Sequence, residues 1–339
     1  EVIKMAVIPT VLYYFCLFFM VELDARKYGM SQGTFEAVDS AWTLAKRYWY
    51  HFLSLASIVV FMMWGFSPTL SVFWATVTAF AVSFFHRETA LYPRRFIKAM
   101  ETGTTGVLNV AATCASAGII VGVVTLTGLG LKFSSIVIEY AGGSLALTAV
   151  YTALIVWIVG LAVPVTASYI ICAVIAAPAL ITLGVPDFAA HMFIFYYALL
   201  SEVSPPTALS CFAAAAITGA DPYRTTLQAW KYTMPAFVVP FFFVLDPMGT
   251  GVLLQLPKGA SWAEVSWVVF LIFVAIASMA AGLQGWLLKK TNFLERALLV
   301  VAGALVIVPV ESLDAVGVGM FATVFVIQML RHRRVPAPT

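Results

Sequence analysis

The chain has 339 residues, of which 62% are hydrophobic and only 10% charged, with mean hydropathy +0.97 and a formal net charge of +3. Ordinary soluble domains carry about 25% charged residues, so this composition excludes a soluble enzyme with a charged exterior. The basic residues cluster at segment ends, which reads as membrane topology and not as nucleic-acid binding. The apolar runs are about twice the roughly ten residues of a barrel strand. The fold class is therefore an all-α polytopic membrane protein.

In chain order, residues 3–21 form a first apolar segment, closed by Glu22, Asp24, Arg26 and Lys27. Residues 25–50 are a polar connection in which Trp42, Tyr48, Trp49 and Tyr50 read as interfacial aromatics. Residues 52–66 and 69–85 are shorter apolar segments joined at Ser67-Pro68. Tyr92 to Glu101 reads as a short helix along the interface, with Leu91, Phe96, Ile97 and Met100 on its apolar side. Residues 104–127 form a span rich in Gly, Ala, Ser and Thr, whose Asn109, Thr113 and Ser116 share one helical face. Residues 136–161 and 165–183 follow and meet at Pro164, with Glu139 opening the first of them. Residues 188–217 contain Ser201-Glu202-Val203-Ser204-Pro205-Pro206-Thr207. Residues 229–245 read as another span, and 248–256 as an interfacial or external loop. Segments 262–287, 294–310 and 313–330 complete ten or eleven apolar segments, before a basic end at 331–334.

The basic clusters at 26–27 and 46–47, 86–98, 224–231, 289–296 and 331–334 fall on one side if each intervening pair of segments returns, with Lys132 as the exception. Excess Lys and Arg marks the cytoplasmic side, which puts the C-terminus there. Cys16, Cys114, Cys172 and Cys211 sit singly in apolar runs and read as small buried side chains. The chain begins at Glu1, at the edge of an apolar run and without a cleavable signal pattern, which reads as a fragment, a processed chain or a displaced start.

Two breaks interrupt the apolar middle. The first runs from Gly160 through Pro164 and Thr166 to Ser168; the second runs from Ser201 to Ala208. Proline removes a backbone donor and clashes with the preceding turn. Irregular backbone at membrane depth is tolerated where it is buried or lines a cavity. Two readings of the first break stand: a re-entrant hairpin tip, or a tight loop between full spans. The second reads as an interrupted helix or as a structural kink. A carboxylate at the depth of Glu202 is expensive and faces a cavity or a partner such as Lys132. His191 faces either the pathway or the interface. No arrangement of nucleophile, base and acid is visible, and no phosphate-binding glycine loop, so the chain reads as no enzyme and no organic cofactor is expected.

The run from Gly106-Val107-Leu108-Asn109 to Gly130-Leu131-Lys132-Phe133-Ser134-Ser135 closely resembles the large membrane subunit of tripartite ATP-independent periplasmic (TRAP) transporters. The resemblance is to the DctM-like branch of fused permeases that pair with TAXI-type binding proteins. It continues through Gly160–Pro178, Asp187–Gly219, Ala220-Asp221-Pro222-Tyr223-Arg224-Thr225-Thr226 and Pro235–Pro247. It implies an elevator-type secondary transporter of the bacterial inner membrane, importing small organic acids with sodium. It also implies a secreted TAXI-type binding protein and a small membrane subunit or fused equivalent as partners. Gly160–Ser168 matches the tip of the second hairpin, and Ser201–Ala208 the second interrupted helix. The family pattern has a first inverted half before the equivalent of Ile3–Val21, so the chain is expected to be a C-terminal half that needs an N-terminal partner or, failing one, a non-transporting scaffold. The expected organisation is a scaffold-like 1–103, a transport core at 104–228, C-terminal spans at 229–330 and a tail at 331–339.

The same resemblance assigns Thr166, Ser201, Ser204 and Thr207 as sodium ligands beside carbonyls freed by the breaks. Gly160, Pro164, Ser168, Glu202, Pro205 and Pro206 are assigned to the substrate or ion pathway. Helix N-termini near the breaks would stabilise a substrate carboxylate. Three departures stand out: the absent first half, Val165 where the family commonly carries a threonine, and Glu202 where it often has a small apolar residue.

Overall fold

In a computed structural model, residues 1–29, 41–87, 89–205 and 208–333 are described. Sixteen α-helices lie among them: α1 (Val2–Tyr28), α2 (Ala41–Tyr48), α3 (Phe52–Met63), α4 (Pro68–Ser83), α5 (Pro93–Thr127), α6 (Leu129–Tyr140), α7 (Leu145–Gly160) and α8 (Val165–Ile175), then α9 (Ala177–Thr182), α10 (Asp187–Ser201), α11 (Leu209–Thr218), α12 (Pro222–Thr233), α13 (Val239–Leu245), α14 (Trp262–Gln284), α15 (Phe293–Leu305) and α16 (Glu311–Arg333). No β-sheet occurs among the described residues; an isolated bridge pairs Trp286 with Lys290. Helices α1, α14 and the Glu311–Arg331 part of α16 are long and apolar enough to cross a membrane. Cys114–Thr127 with Leu129–Tyr140 adds a fourth span if this pair, bent by 78°, counts as one. Helices α4, α7 and α8 are shorter and apolar. The chain is a multi-pass helical membrane protein.

The chain divides into two compact units, Gln32–Ala111 and Glu1–Ser31 with Ala112–Thr339. In the smaller unit, α3 and α4 form a helical hairpin. Ser67 caps α4 by accepting from the Leu70 N–H at 3.3 Å, with Pro68 at the first helical position. Trp42 and Trp49 are exposed as expected of interfacial rings, but Tyr50 is buried, packed on His51, Phe85 and His86.

In the larger unit α10 is central. Its Phe193, Ile194 and Leu200 are fully buried with Phe242 and Phe243 of α13. Helix α1 packs on α14, where Phe15 meets Phe273 edge to face at 4.6 Å. Helices α14 and α15 each open with the reciprocal cap that Ser-x-x-Glu and Asn-x-x-Glu encode, Ser261 with Glu264 and Asn292 with Glu295.

Several expected segments have different boundaries. The stretch Tyr92 to Glu101 is no separate interfacial helix, because α5 runs unbroken from Pro93 to Thr127. Proline is tolerated where a helix starts, and a lone Gly103 weakens a helix by about 1 kcal/mol without ending it. The expected span 136–161 is two helices, α6 and α7, because Gly142 and Gly143 take left-handed backbone (φ 59 and 73) that side-chain-bearing residues avoid. Glu139 consequently ends a helix instead of opening one. The expected segment 165–183 breaks at Ala176, two residues before Pro178. The expected span 229–245 is interrupted at Pro235 and Pro240, giving α12, a 3₁₀ turn and α13. The stretch 248–256 is not external throughout: Gly249, Gly251, Val252 and Leu253 are buried in a 3₁₀ turn.

Several basic groups of the larger unit lie near the C-terminal end of α14, whereas Lys4 stands at the opposite end of α1 from Lys27. Lys27 Nζ donates to the Gln284 carbonyl at 2.8 Å, and Lys289 Nζ to the Arg331 carbonyl at 3.0 Å. Lys231 lies within electrostatic reach of Lys27 and Arg296.

Candidate functional site

The two breaks meet. Helix α7 ends at Gly160, and its last turn closes with the Leu161 N–H donating to Trp157 O at 3.1 Å and the Ala162 N–H to Val159 O at 3.0 Å. Pro164 cannot return a hydrogen bond to the Gly160 carbonyl. Its extended backbone (φ −58, ψ 154) turns the chain into α8, whose first turn is closed by the Ser168 N–H donating to Pro164 O at 2.9 Å. Helices α7 and α8 are thus joined by a tight turn at Leu161–Pro164, an arrangement that a re-entrant hairpin and two full spans share.

Helix α10 ends at Ser201 for a related reason. Pro205 and Pro206 have no N–H to offer the carbonyls four residues earlier, those of Ser201 and Glu202. The Ser201 carbonyl accepts instead from the Ser204 N–H at 3.0 Å, a tighter turn. The Glu202 carbonyl accepts from Ser210 Oγ at 3.4 Å, across the break from α11.

Gly160 sets the approach between the breaks. A Cβ there would come within 2.6 Å of Ser201 Cβ and collide with Ser201 Oγ, and it would lie 3.3 Å from Ser168 Oγ. Only the missing side chain lets the C-terminus of α7 touch the C-terminus of α10. Ser168, Ser201 and Ser204 are all buried here. Ser201 Oγ donates to Ala198 O at 2.6 Å, and Ser204 Oγ to Leu200 O at 3.0 Å. Trp157 Nε1 donates to Ser204 Oγ at 3.0 Å, tying the hairpin to the interrupted helix. Ser168 Oγ is buried with no oxygen or nitrogen partner, beside the Cys172 thiol. Two helix C-termini, each an end of partial negative charge, therefore converge on a buried hydroxyl with unused bonding capacity.

Gly160, Ser168, Ser201 and Ser204 come together. Pro164 and Thr166 stand exposed at the hairpin tip, and Thr166 shares no hydrogen bond with the serines. Pro205 is half-buried at the second break, while Pro206 and Thr207 lie outside the described residues. The Glu202 side chain is half-buried, and the ion pairs found among the described residues, Arg26–Glu22 and Arg331–Glu295, do not include it, so the expected pair with Lys132 is not made. Asn109 and Thr113 have side chains outside the description; Ser116 Oγ donates to its own helix at Ala112 O. His191 Nδ1 lies 3.1 Å from Tyr169 OH and joins α10 to α8.

Sequence reasoning missed Trp157, Thr148 and Thr152. The two threonines are buried on α7 with unpartnered hydroxyls. The signal was spacing: 148, 152, 156 and 160 repeat every four residues and share the helix face that ends at Gly160. A cavity of about 630 Å³ lies elsewhere, bounded by Asp246, Thr250, Gln255 and Lys258.

The sequence profile of the tripartite ATP-independent periplasmic transporter, DctM component, matches residues 1–248. The chain belongs to this family. No curated protein and no solved structure matches it. The match takes in both breaks, so the hairpin and the interrupted helix are parts of a transporter's permease component. The last three helices, α14 to α16, lie beyond it.

Proposed function

We propose that this DctM-family chain imports small organic acids by sodium symport, with the hairpin α7–α8 and the interrupted pair α10–α11 carrying the ion and substrate sites. The observation that carries the reading is the contact of the two breaks at Gly160 and Ser201, beside the buried Ser168 hydroxyl. Carbonyls at helix C-termini suit a sodium ion, and the N-termini of α8 and α11 suit a carboxylate. Ser168, Ser201 and Ser204 supply oxygen ligands from the described part of the site, and Glu202 adds charge at its edge.

Transport proceeds by movement of the Gly142–Gly219 region, within a transport core at 104–228, against a scaffold. A secreted TAXI-type binding protein delivers the substrate, and a small membrane subunit or fused equivalent completes the complex. The gathering of Lys27, Lys231, Lys289, Arg296 and Arg331 at one end supports a cytoplasmic position for that end, and with it the C-terminus, in a bacterial inner membrane.

The test is uptake into proteoliposomes holding the complete permease and its binding protein, with sodium, pH and substrate varied separately. Uptake that follows the sodium gradient and needs the binding protein is expected. Uptake indifferent to both the sodium and the proton gradient would overturn secondary transport.

A further inference from the structure

The cavity of about 630 Å³ lies at the far end of α7 and α10 from the Gly160–Ser201 contact. Its wall takes in Leu145 at the start of α7 and Phe188 at the start of α10, whereas Gly160 and Ser201 end those helices. At 1.5 Å per residue the two places stand about 20 Å apart along both helices. The rest of the wall comes from the α9–α10 turn, the end of α13 and the connection that leads into α14. All of it lies within the larger unit.

The connection is tightly built. After α13 the Asp246 backbone is extended, and its carboxylate turns back so that Oδ1 accepts from the Met248 N–H at 2.7 Å. A Cβ on Gly249 would collide with the Phe242 carbonyl, and one on Gly251 with the Val265 side chain of α14. The two glycines therefore let the turn Gly249–Leu253 press into the core. Leu254 then takes left-handed backbone (φ 57), alone among the described residues that carry a side chain. Such backbone persists only where its surroundings hold it, and here it brings Gln255 to the cavity wall.

Asp246, Thr250, Gln255 and Lys258 line the cavity with unused bonding capacity. Asp246 Oδ2 and the Thr250 hydroxyl make no hydrogen bond and keep accessible surface. Helical threonines such as Thr218 and Thr226 donate to a carbonyl of their own helix; Thr250 does not. Gln255 and Lys258 are exposed, and their side chains make no hydrogen bond within the protein. Asp246 and Lys258 do not pair with each other, since the ion pairs found among the described residues are Arg26–Glu22 and Arg331–Glu295. Leu183 and Phe243 belong to the apolar remainder of the wall. Small-molecule sites measure about 300–1,000 Å³ and join apolar walls to a few placed polar groups. A carboxylate and an ammonium that share such a cavity unpaired call for a ligand bearing both charges. An anion alone would meet Asp246, and a cation alone would meet Lys258.

We propose that this cavity binds a small zwitterion with an apolar body, an amino acid or a dipeptide. Its ammonium lies on Asp246 Oδ2, its carboxylate on Lys258 and its side chain against Leu183 and Phe243. Thr250 and Gln255 add neutral hydrogen bonds. The site is separate from the one at Gly160 and Ser201, so it stands or falls independently of the transported substrate.

The test is isothermal titration calorimetry of the purified full chain in detergent with L-leucine and with leucyl-leucine. Isopentylamine and isocaproate, which carry the ammonium or the carboxylate alone, serve as the comparison. One of the two zwitterions is expected to bind about tenfold tighter than either half, the effect of one charge-assisted hydrogen bond. Asp246→Asn, which keeps an acceptor for Met248, and Lys258→Gln at the exposed rim are each expected to weaken it about tenfold. Lys258→Arg and Ser168→Ala keep the affinity. Binding of no zwitterion, an equally tight half-molecule, or unchanged affinity in Lys258→Gln would overturn the proposal. Loss of binding in Ser168→Ala would put the zwitterion at the transport site and overturn it as well.

Discussion

The Trp157 indole N–H donates to Ser204 Oγ at 3.0 Å, joining a hairpin limb to the break of a helix 47 residues further along the chain. Ser204 passes the interaction to its own helix through Leu200 O. Trp157→Phe removes the donor and leaves Ser204 a satisfied hydroxyl, so the cost is about 0.5–1.5 kcal/mol. A double-mutant cycle of Trp157→Phe and Ser204→Ala, read by denaturant unfolding in detergent, is expected to show coupling of that size. Additive losses would mean that the bond holds nothing together.

Gly160→Ala places a methyl group against Ser201. Overpacking of this kind costs about 1–3 kcal/mol, and uptake is expected to fall more steeply than membrane insertion. Ser201→Gly removes the colliding atoms and is expected to restore much of the stability in the double variant. If the double variant is as unstable as the sum of the singles, the close approach of the two helix ends is not what Gly160 provides.

Glu202→Gln separates transport from folding. The carboxylate makes no ion pair among the described residues, so the change in stability is expected to stay within about 0.5 kcal/mol. The dependence of uptake on sodium or pH is expected to shift. Unaltered uptake at every ion condition would remove Glu202 from the coupling site.

Glu295 has three partners, the Asn292 N–H at 3.0 Å, Gln328 Nε2 at 2.9 Å and Arg331 Nη1 at 2.6 Å, and is buried while Arg331 is half exposed. Glu295→Ala strands buried donors and is expected to cost on the order of 3 kcal/mol. Arg331→Gln is expected to cost about 1 kcal/mol, because solvent screens its side. Thermal unfolding of the two variants ranks them; the reverse order would show that Arg331 anchors α16 on its own.

Asp246, just after α13, has a carboxyl raised above the usual aspartate range, first by burial and against the hydrogen bond from the Met248 N–H. A group raised in the folded state binds its proton more tightly there than in the unfolded chain. Its contribution is therefore fully present below the unfolded value and is lost as pH rises through the folded one. Asp246→Asn keeps an acceptor for Met248 and is expected to flatten the melting temperature across that window. An identical pH profile in wild type and variant would place the titration elsewhere.

The middle of the chain was legible because proline and glycine act locally. Pro164 and Pro205 each withdraw a backbone donor from the turn before them, and α7 and α10 end four residues earlier, at Gly160 and Ser201. Boundaries were less legible where a weak breaker had to be judged. Gly103 did not stop α5, while Gly142 and Gly143 did separate α6 from α7. Their cost depends on neighbours that packing supplies.

By itself the sequence determined that the chain enters a membrane, that its apolar middle is interrupted twice, and that its basic residues cluster at segment ends. Composition and backbone chemistry are enough for that, since lipid rewards apolar side chains and punishes unpaired amides at every position. Only the tertiary structure decided that the two interruptions touch, that Ser168, Ser201 and Ser204 share the contact while Thr166 stands apart, and that Trp157 belongs to it. Those facts follow from which helix faces pack together, and sequence spacing within one helix carries no information about the helix that will lie against it.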